Sequence, residues 1–203
     1  MPGRADISKG EGLIRTHDLL EYLIADVNRA FAELEDDKSS QYLRRTTARS
    51  VFAFVEGVVQ ILKFEVRSAL RKNGDGITLN AKDHEVMYEE REKDGKTIPV
   101  KVPIEVSIKR LFRVAPYVWG IDYCFDAGDE GYRNFLLAKK ARNRLTHPRT
   151  YYDIEVTDFD MSCYAMTFIW LRDHFRELFR SRVNAISAEL PEDVRDAFLN
   201  REA

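Results

Sequence analysis

The feature that most constrains the fold is a pair of long segments in which apolar residues recur every three or four positions. In residues 12–34 these are Leu13, Leu20, Leu23, Ile24, Val27, Phe31 and Leu34. That spacing is the helical period and predicts a first helix. Ser39 or Ser40 can cap a second helix, which continues to about Lys72, just before an Asn-Gly-Asp-Gly turn at 73–76. A helix of roughly thirty residues is long for a globular protein and predicts a helical bundle.

The middle of the chain does not follow the helical period. Asp94-Gly95 separates residues 85–92 from residues 96–102, and the second run alternates apolar side chains with polar residues or proline. This pattern predicts a β-hairpin with a two-residue turn, inserted between helices. A short helix at 80–86 is expected to precede it.

Two further helices are marked by their first residues. Pro103 suits the first turn of a third long helix, which Pro116 is expected to kink or end. Thr157 and Asp160 have the spacing of a capping box and predict the start of a fifth long helix, which reaches about residue 182.

The fourth long helix carries the candidate site. Asp129 and Glu130 favour its start, because acidic side chains stabilise the positive end of the helix dipole. His147 precedes Pro148, and the residue before a proline is disfavoured in helical geometry. We therefore expect the helix to end near Thr146, with His147 at its C-terminal rim.

These elements predict one mainly all-α domain over residues 1–203, with a bundle of four to five main helices. The core is expected at about 12–182, the hairpin insertion at about 85–102 and a short amphipathic C-terminal helix at about 191–201.

The composition is that of a folded globular protein. Hydrophobic residues make up 44% and charged residues 33% of 203 positions, which allows a sizeable core. The net charge of −2 excludes a uniformly basic nucleic-acid coat, so affinity for phosphates requires a local patch. There is no apolar run of membrane-spanning length and no signal-peptide core. We therefore expect a cytoplasmic protein that does not bind membranes.

The cysteines and histidines do not indicate a metal site. Cys124 and Cys163 lie far apart in aromatic-rich surroundings, which favours burial as small hydrophobic side chains over a disulfide. The four histidines show no paired metal-ligand spacing such as H-E-x-x-H. We expect neither a metal nor a cofactor.

A local basic block includes the most distinctive residue pair. Six basic residues and no acidic one lie from Arg133 to Arg149, and within this block Arg142 stands five positions before His147. Arginine supplies a permanently charged fork for phosphate oxygens, and histidine can take up and release a proton near neutral pH. In a chain with 21 arginines the spacing alone is weak evidence, and a basic helix end also complements the helix dipole. The residues alone leave both interpretations open.

A polar stripe interrupts the otherwise apolar second helix. It consists of Arg49, Glu56, Gln60, Lys63 and Arg67, at steps of seven, four, three and four. If the stripe faces the fourth helix, Glu56 can orient Arg142 or His147, because a buried carboxylate requires a partner. If it faces water, the stripe is an ordinary solvated surface.

These features resemble the HEPN family, the higher eukaryotes and prokaryotes nucleotide-binding family of α-helical proteins. Arg142-Asn143-x-x-x-His147 is similar to the family's R-x4-6-H motif, including the polar residue after the arginine. Residues 49–57 resemble the family's long second helix, with an acidic residue in an apolar run. The motif also closes one helix just before the last long helix. The match covers roughly 12–182, and the hairpin departs from the minimal bundle.

The resemblance implies a metal-independent endoribonuclease that acts on RNA as a homodimer, with two motifs facing each other. It also implies a role in toxin–antitoxin or antiviral defence systems, with an antitoxin or defence-system protein as partner. The family's H-x-Y extension is absent, because Arg149 holds the tyrosine position, although Tyr151 and Tyr152 follow closely. This departure puts a tyrosine-modifying antitoxin in doubt.

The chemistry of RNA cleavage assigns a role to each candidate residue. Without a metal, a 2′-hydroxyl must lose its proton, a phosphorane must be stabilised and the 5′-oxygen must be protonated. His147 is the candidate for proton transfer and Arg142 for holding the phosphate. Asn143, on the helix face of His147, can orient the ring or contact the phosphate. The cations expected to bind flanking phosphates are Lys139, Lys140, Arg144 and Arg149.

Two other classes of function stay open. A non-catalytic HEPN-like module would use the same basic patch to bind RNA, a nucleotide or a protein. An interaction scaffold would use the hairpin and the short C-terminal helix at about 191–201, leaving Arg142 and His147 with structural roles.

Overall fold

The computed structural model describes residues 4–73 and 76–188, and this part of the chain folds into six α-helices and one two-stranded hairpin. In chain order the elements are α1 (Arg4–Asp36), α2 (Gln41–Asn73), α3 (Ala81–Tyr88), β1 (Glu90–Lys93), β2 (Lys96–Pro99), α4 (Ile104–Trp119), α5 (Glu130–Thr146) and α6 (Asp158–Ala188). A short 3-10 helix, Tyr151–Ile154, connects α5 to α6. The predicted mainly all-α bundle with an antiparallel hairpin is therefore confirmed. The predicted helix at 191–201 lies outside the described residues.

Helix α2 is the centre of the bundle, and it packs against α1, α4, α5 and α6. Its side chains Phe54 and Leu62 are fully buried, together with Phe112 of α4 and Phe135 of α5. Burial of large apolar side chains of this kind is the main source of stability in such a fold. Among the described residues, no helix combines the length and the apolar character that a membrane crossing needs.

Helices α5 and α6 approach each other closely and run antiparallel. Gly131 of α5 lies directly against the Trp170 ring of α6, where any larger side chain would overlap the ring. At the other end of the pair, Arg144 of α5 forms an ion pair with Asp160 of α6. The glycine permits the close approach, and the ion pair fixes the C-terminal end of α5 beside the start of α6.

Capping hydrogen bonds confirm the predicted starts of α5 and α6. Asp129 caps α5 by accepting a hydrogen bond of 2.7 Å from the Tyr132 N–H. Thr157 and Asp160 form the predicted capping box, in which the side chain of each accepts from the backbone N–H of the other at 3.0 to 3.1 Å. Helix α6 continues to Ala188, beyond the predicted end near residue 182.

The hairpin is shorter than predicted, because residues 85–88 belong to helix α3. Asn80 caps this helix by accepting from two backbone N–H groups, and the helical face buries Val86 and Met87 in the core. Burial on a helical face outweighs the strand pattern at these positions. The predicted two-residue turn is confirmed, since Asp94 and Gly95 both have positive φ, at 52° and 71°.

Helix α4 passes through Pro116, so of the two effects predicted for this proline, ending the helix is wrong and a kink stays a prediction. The helix continues to Trp119 and ends at Gly120, which has the left-handed φ of 65°. Proline removes one backbone hydrogen bond, but Pro116 and Val118 are buried against the bundle. Core packing therefore keeps the last turn helical.

The two cysteines differ in burial. Cys163 is buried as predicted, and burial raises the pKa of its thiol. Cys124 is exposed, so the expectation that it is buried is wrong. It lies in the loop after α4, where its aromatic neighbours in sequence are only partly covered.

Candidate functional site

The C-terminal end of α5 carries the candidate site. Its backbone ends as predicted, because His147 leaves helical geometry with φ −129° and ψ 62°. The His147 N–H still donates to the Asn143 carbonyl at 3.1 Å, which fixes the last turn. The His147 ring is exposed, and within the described part of the chain no hydrogen bond or ion pair engages it. An imidazole in that state is accessible to a ligand.

Arg142 is held in place by two residues of α2. One guanidinium nitrogen contacts the Glu56 carboxylate at 2.7 Å, and the guanidinium carbon lies 5.7 Å from the centre of the Phe52 ring. The Arg142 and Glu56 side chains are 37% and 51% exposed, so the pair stands at the surface. A single carboxylate contact leaves further guanidinium N–H groups able to bind a second anion.

Asn143 is exposed beside Arg142. Within residues 4–73 and 76–188, no hydrogen bond is made by its side-chain amide. Five residues of helix correspond to roughly 7.5 Å along the axis and roughly 140° around it, so Arg142 and His147 lie at one helix end without sharing a face. The three side chains occupy one helix end without bonding one another.

A buried tyrosine lies beneath the arginine. The Tyr164 ring of α6 meets the Phe52 ring edge-on, with centroids 6.1 Å apart, and Tyr164 is completely buried. Its hydroxyl has no hydrogen-bond partner among the described residues. Burial raises the pKa of the Tyr164 phenol, and the charge of Asp160 acts in the same direction. The sequence pattern identifies Tyr164 only as a core residue, because its apolar spacing does not distinguish it from phenylalanine.

Two of the four predicted phosphate-binding cations are engaged inside the chain. Arg144 contacts Asp160 at 2.8 Å and donates to the backbone carbonyl of Glu155 at 2.9 Å. Lys139 contacts Glu105 of α4 at 2.5 Å. Any RNA contact by these two cations would compete with the ion pairs that they already make.

The other two predicted cations are available for binding. Lys140 and Arg149 are both exposed, and across the described ranges neither side chain has a hydrogen-bond or ion-pair partner. A cation without a protein partner retains its full charge for a phosphate. The structure thus separates the predicted set into two engaged and two available residues.

The polar stripe of α2 does not form one continuous surface. Glu56 reaches Arg142, but Lys63 is only 2% exposed and contacts Glu89, next to the hairpin, at 2.7 Å. Arg49 is exposed and lies on α2 between Arg45, which donates to the Ile154 carbonyl, and Phe52. The N-terminal half of the stripe therefore borders the candidate site, whereas the C-terminal half supports the hairpin.

The segment after His147 is held by a local cap. The Asp153 carboxylate accepts hydrogen bonds from the backbone N–H groups of Arg149 and Thr150 at 2.9 and 2.7 Å. These N–H groups, first that of Arg149 and then that of Thr150, hold the pKa of Asp153 below its ordinary value. The sequence signal for this capping box is Thr150 followed three residues later by Asp153.

The arrangement provides one exposed imidazole, one oriented guanidinium, one amide and two available cations at a single helix end. These groups can transfer a proton and bind a phosphate. Within the residues that the structure describes, no three histidine, cysteine, aspartate or glutamate side chains are arranged to hold a metal ion.

Comparison with protein-family models, with curated proteins and with solved structures found no match to this chain. The function is therefore argued from the geometry of the site.

Proposed function

We propose that this chain is a metal-independent endoribonuclease of HEPN type, with an active site completed by a second copy of the chain. The observation that carries the proposal is the arrangement at the end of α5. Arg142 is oriented by Glu56 and Phe52, and five residues later, at the end of the same helix, His147 is exposed and has no partner within the described residues.

The proposed reaction is attack of a ribose 2′-hydroxyl on the adjacent phosphate. A 2′-oxygen–phosphorus bond forms, the bond from phosphorus to the 5′-oxygen breaks, and the products carry a 2′,3′-cyclic phosphate and a 5′-hydroxyl. One imidazole accepts the 2′-hydroxyl proton, and a protonated imidazole donates a proton to the departing 5′-oxygen. His147 is the group at this site suited to either transfer.

Arg142 binds the phosphate whose charge increases in the transition state. Its guanidinium offers several N–H donors, and only one nitrogen is taken by Glu56. Because the guanidinium is already oriented, it need not reorganise as the phosphorane forms. Glu56 is a positioning residue in this scheme, since it acts through Arg142 and has no contact with the substrate.

The two proton transfers are most simply divided between two histidines. One chain supplies a single histidine at this site, and a two-fold dimer would place His147 of each copy in a shared cleft. In that cleft Lys140 and Arg149 bind the flanking phosphates, while Asn143 contacts the phosphate or the neighbouring ring.

An exposed apolar surface offers a place for the second copy. It consists of Leu137 on α5 and Phe159, Met166 and Ile169 on α6, all of them exposed. On α5, Gly131 contacts Trp170 of α6, and Arg144 contacts Asp160 of α6. Leu137 lies midway between these two contacts along α5, so it lies at the level of Met166 along α6. Exposed apolar side chains grouped on two adjacent helices are typical of a protein interface.

A binding module without catalysis is the second candidate function, and the Glu56–Arg142 pair is the observation that favours it. The carboxylate offsets part of the positive charge that would face a phosphate. In that case Lys140 and Arg149 would bind RNA, a nucleotide or an acidic protein, and the RNA would stay intact. For either function, toxin–antitoxin or antiviral defence systems are the biological setting that the HEPN resemblance suggests.

The chemistry of the products tests the proposal. Purified protein is incubated with total RNA in the presence of a metal chelator, and the new RNA ends are identified. The proposal expects cleavage to persist in chelator and to leave 2′,3′-cyclic phosphate and 5′-hydroxyl ends. Products with 5′-phosphate ends, or cleavage abolished by the chelator, would contradict the mechanism.

A further inference from the structure

Two neighbouring aromatic side chains are unusually exposed beside the candidate site. Tyr151 and Tyr152, on the 3-10 helix, are 79% and 76% exposed. Their ring centroids are 6.1 Å apart and the ring planes stand at 79° to each other. Two adjacent exposed rings offer apolar area that a partner can cover.

The backbone that carries these rings is fixed from several sides. The Asp153 carboxylate caps the 3-10 helix at its start, and Arg144 donates to the carbonyls of Asp153 and Glu155 at 3.3 and 2.9 Å. Arg45 of α2 donates to the Ile154 carbonyl at 3.3 Å. The backbone that presents the two rings is therefore held by its own cap and by hydrogen bonds from α2 and α5.

A further exposed aromatic ring lies at the same end of the bundle. Tyr42 of α2 is 67% exposed. It directly follows Gln41, whose side-chain amide exchanges hydrogen bonds with the backbone of Val156 at 3.1 and 2.8 Å. The start of α2 and the 3-10 segment therefore lie side by side, and both carry exposed aromatic rings.

Three exposed cations lie on the elements that meet near the rings. They are Arg149, two residues before Tyr151, Arg49 on α2 and Lys140 on α5. Glu155 is exposed as well, so the local charge is mixed. Within the described residues these three cations have no ion-pair or hydrogen-bond partner. The polyphosphate chain of RNA neutralises cations of this kind.

We propose that Tyr151 and Tyr152 stack on unpaired bases beside the phosphate that Arg142 holds, so that the site selects unpaired nucleotides. Every base offers a flat face to an aromatic ring, and that face is accessible only when the base leaves its duplex. Because the ring planes are nearly perpendicular, the two tyrosines engage bases in different orientations, as at a bend in the strand. The assignment of an RNA phosphate to Arg142 rests on the proposed function, but base stacking on the two tyrosines does not require that the RNA is cleaved.

The experiment measures RNA binding in protein that does not cleave. In a His147→Ala background, fluorescence anisotropy compares a labelled unstructured oligoribonucleotide with a blunt, fully paired RNA duplex of similar length. We expect Tyr151→Ala with Tyr152→Ala to weaken binding to the unstructured RNA by about tenfold or more, because each base stack contributes strongly to affinity. Binding to the duplex should change by less than about twofold.

Two controls separate stacking from other roles. The double variant Tyr151→Phe with Tyr152→Phe retains the rings and should bind within about twofold of the background. Tyr117→Ala removes a tyrosine ring on α4 that is also exposed, at 62%, and it should leave RNA binding unchanged. Alanine variants that bind the unstructured RNA normally, or phenylalanine variants that lose as much affinity as the alanine ones, would overturn stacking.

The outcomes distinguish this inference from the proposed function. Selective loss of binding in the alanine variants, with no cleavage by the wild-type chain, would support stacking and reject the endoribonuclease. Cleavage by the wild-type chain, together with normal RNA binding by the alanine variants, would support the endoribonuclease and reject stacking. Alanine variants that become monomeric and bind RNA normally would assign the tyrosines to an interface between two copies and overturn stacking.

Discussion

Glu56 and Arg142 are 86 residues apart in the sequence and meet at 2.7 Å across the contact between α2 and α5. A surface ion pair of this kind contributes little to stability, about 0–1 kcal/mol, because both side chains are partly hydrated. Its main effect is on orientation, since it fixes the guanidinium beside the end of the helix that carries His147. The pair thus couples the packing of α2 to the geometry of the site.

Replacing Glu56 separates its effect on geometry from its effect on charge. We expect Glu56→Gln to lower the RNA cleavage rate about tenfold while the free energy of unfolding changes by less than about 1 kcal/mol. RNA binding should stay the same or tighten, because one negative charge is removed next to Arg142. Glu33→Gln, which breaks the exposed pair between Arg29 and Glu33, is the matched control and should leave cleavage unchanged. Equal rates for the two variants would remove Glu56 from the mechanism.

Arg144 and Lys140 lie on the same helix and should behave in opposite ways. Arg144→Ala leaves Asp160, which is 8% exposed, without its cation, so we expect a loss of about 1–3 kcal/mol in the free energy of unfolding. Lys140→Ala should change it by less than about 0.5 kcal/mol but weaken RNA binding and reduce its dependence on salt. Urea unfolding and binding titrations at several salt concentrations measure both effects. A stable Arg144→Ala protein with normal α6 packing would show that its ion pair is dispensable.

The apolar surface of α5 and α6 should control assembly. If a second copy covers it, Ile169→Asp introduces an unpaired charge into the interface and converts a dimer into a monomer. Tyr117→Asp places the same charge on an exposed residue of α4 and should leave the dimer intact. Sedimentation analysis at several protein concentrations provides the measurement. A wild-type chain that cleaves RNA as a monomer would rule out the shared cleft.

The Asp153 cap should respond to acid. Its folded-state pKa is lowered, so the stabilisation that it provides is complete above the unfolded value of about 3.9 and is lost as the pH falls through the folded-state value. Asp153→Asn removes this charged acceptor at neutral pH as well. We expect faster exchange of the Arg149 and Thr150 amide hydrogens in the variant at pH 7. Unchanged protection of these two amides would mean that the cap does not hold the segment.

Much of the fold follows from local sequence signals. Asp129, Thr157 and Asp160 identify helix starts because their side chains bond to backbone N–H groups only a few residues away. Such short-range chemistry is visible in the sequence. The continuation of α4 past Pro116 and the helical conformation of residues 85–88 are not visible locally, because burial against distant elements decides them. Local propensity does not include that contribution.

The contacts of the candidate residues were only partly predictable. The spacing of Arg142 and His147 and the acidic position in the long helix are visible in the sequence, and Glu56 does reach Arg142. The sequence does not show that Arg144 is engaged and Lys140 available, because Asp160 comes next to Arg144 only when α6 packs on α5. The unpartnered hydroxyl of Tyr164 also depends on packing.

Removal of the His147 imidazole tests the central claim most directly. The rate of RNA cleavage in chelator is compared between the wild-type chain, His147→Ala and the control His84→Ala, which removes an exposed histidine of α3. The account predicts a loss of at least about 100-fold for His147→Ala, with unchanged circular dichroism, unfolding midpoint and oligomeric state, and no loss for His84→Ala. Cleavage by His147→Ala protein at the wild-type rate would contradict the account.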